Sequence, residues 1–374
     1  VNSLVDLDLA VLVPSRLFPG TRLAYADLHN HTHLSDGQGD PADAFPTLRR
    51  AGLHVAALTD HARVNSGIDE AAWQLTAALA EAADVPGAFT AIRGFEWTND
   101  HLGHVNIWGS SGWVQPGTGG VGTLYDWLYG ERGLAGFNHP GREPARFSAF
   151  AFCPHIVDRL VAFEIFNRQD DYLFRGCDDG YPSPLVECLG AGWRPGLIGV
   201  SDEHGTEWGS GGKGRAGVWL DELTRAGVCA ALRDRRVFAT TIHDLRVDAA
   251  AAVPGAPPVR MGRALIHDRG RVRFAVDLHG GLELAGRPLQ LQMLRPGPRV
   301  PTVAHVEAVA ALPATVRFEV NLDAADGDWV VLRLADPLSP APPGSPEGHP
   351  AANLGLAYTS PFWLDPPSHA EGGC

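Results

Sequence analysis

At 374 residues, with 45% apolar and 20% charged side chains, the chain is long enough for a large core and, on size alone, for two domains. A formal charge of −13 argues against a nucleic-acid partner, because polyanions are held by clustered Lys and Arg. No apolar run reaches the roughly 20 residues of a bilayer-spanning helix, so no membrane partner is expected.

Residues 1–20 read as an N-terminal arm with one strand around Leu9–Val13. The stretch from Tyr25 to Gly37 reads Tyr-Ala-Asp-Leu-His-Asn-His-Thr-His-Leu-Ser-Asp-Gly. It begins as a strand in which Ala24, Ala26 and Leu28 alternate with Tyr25, Asp27 and His29. Residues i and i+2 of a strand share a face, so His29 and His31 point the same way where the strand runs out. Two neighbouring imidazoles are the start of a metal site. A short helix from Pro41 to Gly52 follows, and then the pattern repeats. His54–Thr59 is a strand ending in Asp60-His61. Asp69–Ala83 is a helix with an acidic start. Phe89–Phe95 is a strand ending in Glu96, and Val105–Trp108 is preceded by Gly103-His104. Gly122–Gly133 reads as a helix. Leu134–Asn138 ends in His139-Pro140, Leu160–Phe166 in Asn167, and Leu197–Ser201 in Asp202-Glu203-His204. Asp221–Arg236 is one more helix, followed by a strand at Val237–Thr241.

Strands and helices therefore alternate, with His, Asp or Glu at most strand ends. In a parallel barrel those ends gather on one face, where active sites sit. Beyond residue 245 the composition changes. Val272, Phe274, Val276 and Leu278 alternate with polar residues, as do Leu289, Leu291 and Met293, and Val316, Phe318, Val320 and Leu322. Trp329–Leu334 is a further strand, 337–351 a Pro-rich loop, and Tyr358–Leu364 a closing strand. Such period-two runs predict a C-terminal β-sandwich. It carries no ligand cluster, so a structural or oligomer-forming role is expected of it. Five scattered cysteines (Cys153, Cys177, Cys188, Cys229, Cys374) without a C-x-x-C pair read as free thiols. With no leader-like opening segment, a cytoplasmic location is expected.

The ordered set H-x-H, S-D-G, T-D-H, G-x-E, a lone His, N-H-P and S-D-x-H resembles the PHP superfamily of metal-dependent hydrolases over roughly residues 24–245. Gly103–Gly109, Phe163–Asn167 and the β-rich tail resemble its carbaryl-hydrolase branch. The resemblance implies an α/β fold, a distorted (β/α)7 TIM-like barrel over 21–245, with the β-sandwich over 246–374. It also implies two to three divalent or trivalent ions (Zn, Mn or Fe). One metal would take His29, His31, Glu96 and Asp202. A second would take Glu96, His104 and His139, and a third Asp36, His61 and His204. Independently, mixed imidazole and carboxylate donors suit these metals, and the two oxygens of Glu96 can bridge two cations. Asp27 and Asp60 are expected to orient histidines. Asn138, Glu164 and Asn167 fall near the site as orienting or substrate-holding groups. Arg142, past His139-Pro140, is placed to meet a small anionic substrate. With Arg142, Asp202 and His204 are expected to act in catalysis. His33, His54 and His101 fall outside the pattern. The reaction implied is phosphoester hydrolysis by a metal-bridging hydroxide. The alternatives are carboxylic or carbamate ester hydrolysis, as the branch allows, and a catalytically silent binding module.

Overall fold

The computed structural model describes residues 12–367; most of the expected Leu9–Val13 strand, and Cys374, lie outside them. Seven strands carry the site: Arg22–Asp27, Val55–Leu58, Thr90–Asn99, Gly103–Trp108, Leu134–Phe137, Leu160–Asn167 and Gly196–Val200. Each is hydrogen-bonded to the next in chain order. All pairs are parallel except those flanking Gly103–Trp108, which is antiparallel to both its neighbours.

The closed TIM-like (β/α)7 barrel expected from the sequence does not form. The outer edge of Arg22–Asp27 is occupied by Arg215–Leu220, antiparallel, with Ala216 opposite Ala26. Gly196–Val200 is therefore denied a ladder to the first strand, and the single bridge Asn30–Glu203 is what joins the two ends. Arg215–Leu220 is buried along its whole length. A strand covered on both faces has no polar alternation, as in Val55–Leu58, Leu134–Phe137, Leu160–Asn167 and Gly196–Val200.

From Arg215–Leu220 the same sheet runs on, antiparallel throughout. It passes through Val237–Thr240, Leu354–Thr359, Trp329–Asp336 and Leu289–Arg295 to Thr302–Val309. A second, four-stranded sheet (Val259–Arg260, Arg246–Ala252, Arg269–His279, Ala314–Asp323) faces it. Val272, Phe274, Val276 and Leu278 of the second sheet share one core with Leu289, Leu291 and Met293 of the first. Each such side chain taken fully from water contributes about 1.5–3 kcal/mol. The expected closing strand divides at Ser360-Pro361 into Leu354–Thr359 and Phe362–Asp365, since Pro361 has no N–H to give a ladder.

Helices cover the outside where caps and apolar stripes coincide. Pro41–Arg50 starts at Asp40, which accepts from Ala42 N at 2.9 Å, and buries Ala44, Phe45 and Leu48. Glu70–Ala83 starts at Asp69, which accepts from Ala72 N at 2.8 Å, and buries Trp73 and Ala80. Losing such a cap costs about 0.5–2 kcal/mol. The expected Asp221–Arg236 helix is confined to Arg225–Arg233, because the Thr224 side chain caps it later. Among the described residues four cysteines are free, and no helix is long and apolar enough to cross a membrane.

Candidate metal centre

The strand order brings the nine expected ligands to one place. His29 and His31 lie just past Arg22–Asp27, with their Nε2 atoms 3.0 Å apart. Glu96 closes on both: Oε1 is 3.4 Å from His29 Nε2 and Oε2 is 3.5 Å from His31 Nε2. Asp202 Oδ1 completes the set, 3.5 Å from His29 Nε2 and 3.3 Å from His31 Nε2. On the other side of Glu96, Oε1 lies 3.1 Å from His104 Nδ1 and 3.4 Å from His139 Nε2. Nearer the surface, Asp36 sits between His61 and His204, its oxygens 3.3 Å from Nε2 of each. Glu96 is not at a strand end, as expected, but inside Thr90–Asn99. There the hairpin sets His104 opposite Thr98, two residues along the same face.

These separations fit a bound cation. Metal–ligand bonds of about 2.0–2.2 Å leave neighbouring donor atoms about 3.0–3.5 Å apart, the spacing found here. Buried polar atoms are almost always hydrogen-bonded. Yet both ring nitrogens of His139, and Glu96 Oε2 and Asp202 Oδ2, are buried without a hydrogen-bond partner. His29, Glu96 and His139 are completely inaccessible, whereas the Asp36 side chain is 50% exposed. The cluster thus has a closed floor and an open mouth.

A surrounding set of hydrogen bonds holds the ligands. Glu164 Oε1 is 2.7 Å from His29 Nδ1, while its Oε2 accepts from His139 N at 2.8 Å and Asn167 Nδ2 at 2.9 Å. Asn138 Nδ2 donates to Glu96 Oε1 at 2.7 Å. All three residues are buried; Glu164 and Asn138 touch expected ligands directly, and Asn167 reaches them through Glu164. Asp27 and Asp60 differ from expectation: they hold backbone and hydroxyls, not imidazoles. Asp27 accepts from Ser201 N at 3.1 Å. Asp60 accepts from Thr32 N, Thr32 Oγ1 and Ser35 Oγ at 2.7–2.8 Å. The loop that carries His31 and Asp36 crosses directly over Asp60, which is why its carboxylate is spent there. Burial pushes both carboxyls up to about 6.

Burial also opposes charge on Glu96 and Asp202. The surrounding rings outweigh it and hold both well below the ordinary carboxylate range: His61, His104 and His29 for Glu96, and His29 and His31 for Asp202. For His61 burial disfavours the imidazolium, but Glu96 and Asp36 prevail and hold the ring up to about 9. His61 is therefore protonated at neutral pH after chelation, and a metal entering there must displace that proton. Apparent metal affinity is expected to rise with pH through neutrality and to level off beyond about 9. Calorimetric titration at pH 7 in two buffers of different ionisation enthalpy checks this; a heat independent of buffer would contradict it.

Two residues at the mouth escaped the sequence reading. Arg168 Nε is 3.4 Å from Asp202 Oδ2, and its Nη2 is 3.0 Å from His204 Nδ1. Glu143 is 3.5 Å from His139 Nδ1 and accepts from Arg142 Nε at 2.8 Å. The one available signal was its position four residues after His139. Arg142, expected to meet an anion, comes within 3.9 Å of Asp202 Oδ2.

Residues 38–107 match the model of a family described as "Protein of unknown function (DUF3604)". No curated protein matches the chain. Among solved structures, one match is a two-domain protein from Bacteroides vulgatus containing a predicted PHP-like metal-dependent phosphoesterase. It is 16% identical, with a TM-score of 0.50 and coverage of 94% of this chain and 98% of that one. A candidate metal-dependent phosphoesterase from Bifidobacterium adolescentis is 13% identical (TM-score 0.34; 49% of this chain, 88% of that one). An amidohydrolase from Chromobacterium violaceum is 14% identical (TM-score 0.30; 48% and 87%). The last two overlap too little to bear on the fold. The first shows a common two-part fold over nearly the full length of both chains.

Proposed function

We propose that the chain is a metal-dependent hydrolase of phosphoesters, acting at a di- or trinuclear centre. The observation that carries this reading is the convergence of two guanidinium groups, Arg142 and Arg168, on Asp202 Oδ2 at the mouth of the ligand cluster. Both arginines are reachable from solvent, at 36% and 50% side-chain exposure, while His29, Glu96 and His139 are sealed. A phosphoryl group has several oxygens to share among cations and two arginines. A carbonyl ester develops a single oxyanion. When bound, the metals acidify a water and offset the charge on the phosphoryl oxygens.

The chain's own part is positioning. Glu143 holds Arg142 by its Nε, and the terminal nitrogens face His104 and Asp202 at the mouth of the cluster. Arg168 is steadied by its contact with His204. Asp202 touches the His29–His31 pair on one side and both arginines on the other, so it couples anion binding to the ligand cluster. His204, 28% exposed, stands where ligands and substrate meet.

The test compares Asp36→Ala and His61→Ala with the parent on phosphoester and aryl-ester substrates at saturating metal. Phosphoester cleavage is expected to dominate in the parent and to fall by ~10²–10³ in each variant. If aryl-ester cleavage dominates and survives both changes, esters of carboxylic or carbamic acids are the substrates instead.

A further inference from the structure

A cavity of about 450 Å³ is walled on one side by the tip of a hairpin, whose turn also reaches the ligand cluster, and on the other by the C-terminal strands and the Pro-rich loop. The hairpin pairs Phe166 with Asp171 and Asn167 with Asp170. Arg168 turns it with a left-handed φ of 54°, a conformation that L-residues rarely adopt. The turn sends the Arg168 side chain to Asp202 and His204, while Gln169, Asp170 and Asp171 line the cavity. A second segment is shared in the same way: Lys213 pairs with Glu203, between Asp202 and His204, and Gly212 lines the cavity.

Strand register puts the cavity at the metal end of the sheet. Gly214 N donates to Arg168 O at 2.8 Å. Arg215, the next residue, is opposite Thr240, and Thr240 is opposite Ala357. Ile242, Leu354 and Leu356 consequently reach the level of Arg168, where they line the cavity with Phe166. Arg175 and Glu283 add hydrogen-bonding groups. The hairpin cannot swing away, because Asp171 accepts from Tyr358 OH at 2.7 Å in the C-terminal sheet.

We infer that this cavity receives the organic group of the phosphoester: an apolar, ring-sized body with hydrogen-bonding groups at its edge. The size falls within the about 300–1,000 Å³ of small-molecule sites, and the walls combine apolar Phe166, Ile242, Leu354 and Leu356 with polar and charged Gln169, Asp170, Arg175 and Glu283. The C-terminal strands thereby take a direct part in substrate selection. This rests on the phosphoesterase reading above.

The test uses the metal-replete full chain, with 4-methylumbelliferyl phosphate and methyl phosphate as substrates, and Leu354→Trp to fill the cavity. The ratio of kcat/KM for the large substrate to that for the small one is expected to fall about ten-fold or more, since even one methylene in a pocket is worth about 10–200-fold. The loss should lie in KM for the large substrate. Gln169→Trp, on the exposed hairpin wall, should act alike and is read alone if Leu354→Trp fails to fold. An unchanged ratio in the folded variants overturns the inference and leaves the hydrolase reading standing. Binding of 4-methylumbelliferone, followed by its fluorescence, separates the two ideas. If the parent cleaves neither phosphate but binds this alcohol, and the variants bind it about ten-fold more weakly, the cavity stands and the reaction falls. Equal binding by parent and variants overturns the cavity.

Discussion

Glu96→Gln is expected to strip the centre of metal and to lower hydrolysis by at least ~10³. The carboxylate lies within 3.5 Å of ring nitrogens from His29, His31, His61, His104 and His139, so no other side chain touches as much of the cluster. The amide keeps shape and volume but removes the anion. Losing one oxyanion-type interaction costs ~10²–10³; losing a bridging ligand removes more than one. Metal content by elemental analysis, read beside kcat, checks this. Full metal occupancy in the variant would place the cations away from Glu96 and undo the assignment of both inner sites.

Arg333→Met is expected to destabilise the protein by about 3–5 kcal/mol, the usual cost of leaving one buried partner charge behind. Arg333 is fully buried and donates to Tyr358 OH at 2.8 Å, Gln292 Oε1 at 2.8 Å, and Asn353 Oδ1 and O at 2.5 Å. It also lies 3.7 Å from Asp171, whose carboxyl burial pushes up and Arg333 pulls back down. Tyr358→Phe removes two hydrogen bonds, one accepted from Arg333 and one donated to Asp171, and should cost about 1–3 kcal/mol. Urea denaturation midpoints compare the two. An Arg333→Met protein within about 1 kcal/mol of the parent would show that the network carries little of the stability.

The role of Glu96 could be read from the order of residues; that of Arg333 could not. Glu96, His29, His31 and Asp202 were legible because strand periodicity and ligand chemistry coincide over a few neighbouring residues. Arg168 was not, because its role comes from a left-handed turn, and nothing in Asn-Arg-Gln-Asp forces that turn. Asp60 was visible as a polar residue beside His61, but its partners Thr32 and Ser35 lie across the chain, so its role as a loop anchor needed the tertiary contact. The barrel failed for a related reason. Short apolar runs with His, Asp, Glu or Asn at an end located the seven strands that carry the site, but closure depended on which strand took the outer edge of Arg22–Asp27. That competition was settled by Arg215–Leu220, through a pairing with residues nearly two hundred positions away that no local pattern specifies. The tail was legible as β-structure through its half-exposed strands, such as Ala314–Asp323 with its alternating exposure. Its continuity with the ligand-bearing sheet rests on the Val237–Thr240 to Leu354–Thr359 pairing, between residues more than a hundred positions apart.

Metal analysis and phosphoester hydrolysis on one preparation test the central claim most directly. The purified chain is assayed for Zn, Mn and Fe and for cleavage of 4-methylumbelliferyl phosphate, before chelation, after chelation, and after metal is returned. The account predicts about two to three metal equivalents per chain, loss of cleavage with the metal, and recovery on its return. A chain with no tightly bound metal that cleaves the phosphoester at full rate in chelator would contradict it.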